Sequence, residues 1–301
     1  TGSQPFVLPV PGNDLDGVIS YRDIADTNAM IEAARTHRHA VVIGGGLLGL
    51  EAANGLNLRG MKVTVVHLGD WLLERQLDRE AAGLLEAELR SRGLDFALKA
   101  QTSACLSDDG GRVRAVQLKD GREIMADLVV MAAGVRPDVR LATAMGLECQ
   151  RGVLVNDTLQ TLTDPRIYAV GECVNHRGTA YGLVAPLYEQ ATVCANHLAH
   201  FGIGRYQGSQ VSTKLKVTGI DLFSAGDFMG AEGTETIVLR DPLRGVYKKL
   251  VLKGDALVGA CLYGDIDDGS AYFELIRSGI SVAAQRDTLA FGLQPAQALA
   301  A

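Results

Sequence analysis

The residues of this chain that most directly suggest chemistry are three glycines, Gly44, Gly46 and Gly49, spaced G-x-G-x-x-G. They lie in the loop Gly44-Gly45-Gly46-Leu47-Leu48-Gly49, after a short apolar run at residues 40–43 and before an alanine- and leucine-rich stretch. Each glycine has a mechanical task. Gly44 makes the tight turn, Gly46 lets the backbone approach a pyrophosphate, and Gly49 lets a helix pack closely on the strand. The N–H groups that open the helix then face the anion. The motif alone is weak evidence. Here Gly60 ends the helical stretch and residues 62–66 supply a second apolar strand, so strand, turn, helix and strand stand in the order a dinucleotide site requires.

The second strand ends at His67, where an Asp or Glu would bind the ribose 2′-hydroxyl of NAD. A neutral imidazole can accept that hydrogen bond and fits NADH. A protonated one, helped by Arg75, fits the 2′-phosphate of NADPH. A third reading leaves a strand-end histidine facing water; the reading adopted leans to NADH. A further constellation is Gly171-Glu172-Cys173, directly after the apolar residues 167–170. A carboxylate past a buried strand and beside a helix N-terminus is placed to accept from a sugar hydroxyl. Glu172 read alone is equally an ordinary solvated loop acid. Cys173 reads as packing, because no resolving cysteine sits nearby.

These residues need elements to hold them. The pattern predicts a helix at 23–35, the βαβ unit, a helix at 78–92 and a strand at 94–99. The turn signals Asp109-Gly110-Gly111 and Asp120-Gly121 bound an antiparallel excursion with strands at 113–118 and 123–125. A buried strand at 127–133 ends at Gly134. Residues 167–170 read as a strand and 186–201 as a long helix. Beyond residue 206, alternating runs at 211–217, 222–225, 235–239, 246–252 and 257–263 read as an antiparallel sheet, closed by a helix at 270–278 and a loose tail after Phe291.

Composition sets the outer limits. A chain of 301 residues holds about two domains. Its 35 glycines and 8 prolines suit an α/β protein with many tight turns. The formal charge of −6, with no basic block, argues against nucleic acid or an anionic membrane as principal partner. No apolar stretch approaches the ~18 residues that span a bilayer. The five scattered cysteines (Cys105, Cys149, Cys173, Cys194, Cys261) show no metal-like spacing and read as reduced thiols of a cytoplasmic protein.

Taken together, the residues resemble the two-dinucleotide flavoprotein reductases. The likeness rests on Thr1-Gly2, on residues 44–51 and on Tyr168-Ala169-Val170-Gly171-Glu172-Cys173. Within that family the wording is similar to the large subunits of NAD(P)H-dependent assimilatory nitrite reductases, at residues 44–53, 74–78, 182–191 and 212–227. The resemblance implies an α/β fold in which a Rossmann-like NAD(P)-binding domain (36–150) is inserted in a partial FAD-binding domain. The flavin domain would comprise 1–35, with a linker helix, and 151–205. A small α+β interface domain and tail (206–301) would follow.

It implies FAD and NADH or NADPH as cofactors. Gly44, Gly45, Gly46, Leu47, Leu48 and Gly49 would hold the pyrophosphate, with Ala133 and Gly134 lining the nucleotide. Glu51 would be the catalytic residue near the nicotinamide, unless it is a helix N-terminal acid favoured by the dipole. Thr1, Gly2, Gly171 and Glu172 would meet the flavin, and Lys216 its isoalloxazine edge, against the plainer reading of a solvated strand lysine. The family's opening βαβ unit, about a hundred residues that hold half of FAD, does not precede Thr1, so the flavin site is expected to be incomplete. Iron–sulfur cluster and sirohaem belong to the family's downstream modules, and nitrite would be reached only through them. A homo-oligomer or a small reductase subunit would be the protein partner. The alternatives are a ferredoxin- or rubredoxin-type reductase and a non-catalytic NAD(H)-binding module.

Overall fold

The two apolar runs that flank the glycine loop lie within a five-stranded parallel sheet. In this computed structural model, which describes residues 1–217 and 219–293, its order is Val18–Ser20, Leu128–Met131, His39–Ile43, Lys62–Val66, Leu94–Ala97. Both faces are covered, which is why the central strands His39–Ile43 and Leu128–Met131 carry continuous apolar runs rather than an alternating pattern. On one face Val42, Val65 and Val130 pack with Leu50, Leu56 and Leu85 from the helices Leu47–Asn57 and Arg79–Ser91. On the other, Val41, Val66 and Val129 meet Val113, Val116 and Leu118. Those last three belong to an antiparallel meander of Thr102–Ser107, Val113–Leu118 and Glu123–Met125. The helix Ile24–Thr36 begins in a capping box, Asp23 accepting from the Asp26 amide and Asp26 from the Asp23 amide.

The second five-stranded sheet is antiparallel, in the order Ser212–Val217, Ile220–Gly226, Ala256–Tyr263, Val246–Lys253, Glu235–Asp241, with the helix Gly269–Ser278 against it. Leu222, Tyr247, Cys261 and Tyr263 from this sheet share a core with Leu85 and Leu89. Asp78 joins the two sheets. It caps the helix Arg79–Ser91 through the Ala81 amide, accepts from the Tyr247 hydroxyl at 2.7 Å and pairs with Lys249 at 3.3 Å.

Residues 7–133 and the described residues from Ser212 onward therefore form one compact unit, and residues 1–6 with 134–211 another. The stretch 1–35, expected as one remnant of the flavin domain, divides after Phe6 because Val18–Ser20 hydrogen-bonds to the strand Leu128–Met131. In the other unit Ser3–Pro5 pairs antiparallel with Val135–Pro137, and Val153–Val155 pairs parallel with Val174–His176. The helix there runs Val184–Leu198, with Pro186 in its first turn where a missing N–H costs nothing.

One expected strand is corrected. Residues 167–170 form no ladder, only a single bridge between Tyr168 and Gln160. The turn at Asp164 still holds the Ile167 amide, at 3.0 Å, and the Ala169 amide goes to the Leu159 carbonyl. The strand comes later, at Val174–His176. Thr218 and the tail 294–301, expected to be loose, lie outside the described residues.

Candidate functional site

The glycine loop is built by close backbone approach. Gly44 sits at φ +128°, and a Cβ there would stand 2.3 Å from the Ala132 carbonyl oxygen. At Gly49 the added carbon would meet the Gly44 oxygen at 1.9 Å, so a side chain would drive helix and strand apart. Gly45 is closed by the His67 ring and Leu72. Gly46 differs: nothing lies within 4 Å of its missing Cβ. It is also the N-cap of the helix Leu47–Asn57, whose start has no side-chain cap. An uncapped helix N-terminus behind a bare backbone is an anion cradle with room left in it. Leu47 and Leu48 open this helix. Ala133 is exposed just past Leu128–Met131, at the same end of the sheet, where the Ala132 amide donates to the Ile43 carbonyl.

At the neighbouring strand end, the His67 Nδ1 accepts from the Gly45 amide at 3.1 Å. The neutral ring that does so carries its proton on Nε2. That nitrogen is buried, has no hydrogen-bond partner among the described residues, and faces the Glu74 carboxylate at 3.6 Å. Glu74 reaches over Gly69, where a Cβ would stand 1.9 Å from its carboxylate oxygen. The loop that carries it is tied to the glycine turn, because the Leu73 amide donates to the Gly45 carbonyl at 3.0 Å. Leu73 is buried and holds the left-handed conformation, φ +54°, which an ordinary side chain avoids. Arg75, next along, is exposed and makes no ion pair among the described residues. An orphaned buried nitrogen, a bare cradle and a carboxylate at one strand end fit a dinucleotide's pyrophosphate and ribose.

Glu51 lies on the exposed face of the helix Leu47–Asn57, beyond its first turn, where the dipole has little hold on it. Lys216 belongs to the strand Ser212–Val217, but its side chain lies outside the described residues.

In the other unit the structure brings Gly2, Ser3, Gly171 and Glu172 together. The Ser3 hydroxyl donates to Glu172 at 2.5 Å, and the Gly171 amide donates to Gln190 at 3.0 Å. Gly2 and Gly171 both have positive φ and open space where a Cβ would be. Thr1 is exposed beside Gly2, whose carbonyl accepts from the Asp138 amide, and Gly134 is exposed beside Val135–Pro137. Ser3 was missed by sequence reasoning; its neighbour Gly2 in the same short motif was the available signal.

A cavity of about 700 Å³ in this unit, lined by Asn156, Asp157, Asn175 and Arg177 among others, contains none of the expected site residues. There Arg177 and His176 hold the Asp157 carboxyl below its ordinary range, and His176 is buried against Tyr206 with ring centres 4.8 Å apart. All five cysteines are free thiols, and no metal-binding cluster occurs among the described residues. Nor is any described helix long and apolar enough to cross a membrane.

Comparison with known proteins gives this geometry a family. The chain is 52% identical over 277 residues, 92% of its length, to an NAD(P)H nitrite reductase of Bacillus subtilis (strain 168). It is 47% identical over 270 residues, 89% of its length, to an assimilatory nitrate reductase electron transfer subunit of the same organism. In each case it spans 34% of the relative, about a third. Among solved structures, an NAD-dependent persulfide reductase from A. fulgidus superposes with TM-score 0.82 at 27% identity, covering 94% of this chain and 57% of that one. Residues 212–280 match the rubredoxin NAD+ reductase C-terminal domain. Residues 1–197 match pyridine nucleotide-disulphide oxidoreductase, and the chain, with its α/β fold and its open glycine cradle, belongs to that family of oxidoreductases.

Proposed function

We propose that this chain is the electron-entry portion of an NAD(P)H-dependent nitrite reductase, taking hydride from NAD(P)H to FAD and sending electrons towards iron–sulfur and sirohaem centres carried elsewhere. The observation that carries the reading is Gly46, the one glycine of the loop with free space before it, at an uncapped helix start. Bound FAD supplies the hydride acceptor and the means of releasing electrons singly. The chain's residues bind and orient. The loop from Gly44 to Gly49 holds the pyrophosphate, and Ala133 and Gly134 line the nucleotide. Glu51 stands near the nicotinamide end. Gly2, Gly171 and Glu172 receive the flavin's polyhydroxy portion, a role supported by Glu172 already accepting one hydroxyl, from Ser3. Residues 7–133 carry the NAD(P)-binding sheet, 1–6 and 134–211 the flavin-binding portion, and the described residues from Ser212 onward an interface module for a second subunit or copy. Five free thiols fit a cytoplasmic setting.

The match of residues 212–280 favours a second reading, a rubredoxin- or ferredoxin-type reductase. NADH oxidation by the complete enzyme with a dye acceptor tests the shared part. Turnover is expected, and it should disappear in Gly46→Val. Binding without turnover points to a dinucleotide-binding module, and absence of NADH and NADPH binding overturns the assignment. Nitrite against a small iron–sulfur protein as acceptor, with the complete enzyme, separates the two reductases.

A further inference from the structure

The strand end beside the glycine loop carries a selection device that the motif does not spell out. His67 stands where an acidic residue would meet the adenosine ribose, yet its one acceptor nitrogen is already taken by the Gly45 amide. It therefore has only an N–H left to offer. That N–H faces Glu74, seven residues further on, which lies beside Gly69 at the end of the strand Lys62–Val66. Three features fix Glu74 there. Leu73 is anchored to the Gly45 carbonyl, its left-handed backbone turns the chain so that Glu74 points back over the strand end, and Gly69 has no side chain to obstruct it. Lys99 and Arg79, cations next along this edge, both pair with Asp70, at 3.2 and 3.1 Å. The carboxylate itself is about half exposed.

We propose that Glu74 selects NADH over NADPH, its carboxylate accepting the hydrogen bond of the adenosine ribose 2′-hydroxyl and repelling a 2′-phosphate. The inference rests on the dinucleotide reading of the glycine loop and assigns the ribose site within it. A carboxylate and a hydroxyl form a charge-assisted hydrogen bond, whereas a phosphate dianion in the same place meets like charge at close range.

Calorimetric titration of NADH and NADPH into the 301-residue chain and into Glu74→Gln tests it, with thermal melts to confirm folding. The unaltered chain should bind NADH at least about tenfold more tightly than NADPH. Glu74→Gln should weaken NADH about tenfold and strengthen NADPH, bringing the two near parity. The partly exposed position predicts an unchanged melt. An unaltered chain that prefers NADPH, or a Glu74→Gln protein with the original ratio, overturns the role of Glu74 and leaves the glycine-loop reading standing. An unaltered chain that binds neither dinucleotide removes the glycine-loop reading and this inference with it.

Discussion

Gly44, Gly46 and Gly49 look alike in the motif and are unlike in the fold. At Gly49 any side chain collides with backbone, and at Gly44 both the collision and the positive φ forbid one. At Gly46 the fold would tolerate a methyl group, and only a ligand would meet it. Two substitutions separate these roles. Gly49→Ala should lower stability by about 3 kcal/mol, read as a shifted denaturant midpoint, because helix or strand must move. Gly46→Ala should stay within about 1 kcal/mol of the unaltered chain, while its affinity for NADH falls about tenfold or more. Equal loss of stability in both variants would mean that Gly46 is structural.

The thiols divide just as sharply. Cys105, Cys173, Cys194 and Cys261 are buried, whereas Cys149 is half-buried. Burial pushes the thiols of Cys105 and Cys194 upward, and that of Cys261 up to about 12. In an Ellman titration of the native chain at pH 8, Cys149 should react quickly and the other four only on unfolding. Rapid reaction of more than one thiol would contradict the packing described here.

At the scale of elements, Asp78 concentrates three jobs in one buried carboxylate: helix cap, acceptor for Tyr247 and ion partner for Lys249. Asp78→Ala should cost about 3 kcal/mol in chemical denaturation, since a cap is lost, the buried Tyr247 hydroxyl is stranded and the half-buried Lys249 loses its ion pair. The same junction sets an alkaline limit. Burial, and then the Asp78 carboxylate, raise the Tyr247 phenol above its ordinary 10.0, and burial raises Cys261 from 9.0 to about 12. Both groups hold their protons more tightly folded than unfolded. Their contribution is thus complete below the unfolded values and is lost as the pH climbs through the folded ones. Unfolding midpoints followed by circular dichroism should decline from about pH 9 upward, and Tyr247→Phe should flatten part of that decline.

Elements also show what was legible in the residues beforehand. His39–Ile43 and Lys62–Val66 announce themselves because strands covered on both faces read as apolar runs, here Ala40 to Ile43 and Val63, Val65 and Val66. Val174–His176 does not, because Asn175 and His176 are buried polar residues, the latter held by Asp157 at 2.9 Å and packed on Tyr206. Those contacts come from distant chain and leave no periodic trace. Val18–Ser20 is too short to register as a run. Within the candidate site, the glycine loop was readable from its spacing together with the apolar strands and helical stretch around it. Glu74 was not, since a sharp turn at Leu73, rather than its position in the chain, brings it back to the strand end.

For the whole molecule, the family resemblance covers both compact units, and the match of residues 1–197 begins in one, passes through the other and returns. The chain crosses between them after Phe6, after Ala133 and after Val211. The last crossing leads into the antiparallel sheet whose Leu222, Tyr247 and Cys261 are embedded among the side chains of the parallel-sheet helices. A protease that nicked the backbone between residues 211 and 212 would accordingly release nothing. The carboxyl-terminal fragment would stay clasped by the apolar seam and by Asp78, co-migrating with its other half on a native gel and separating only in detergent.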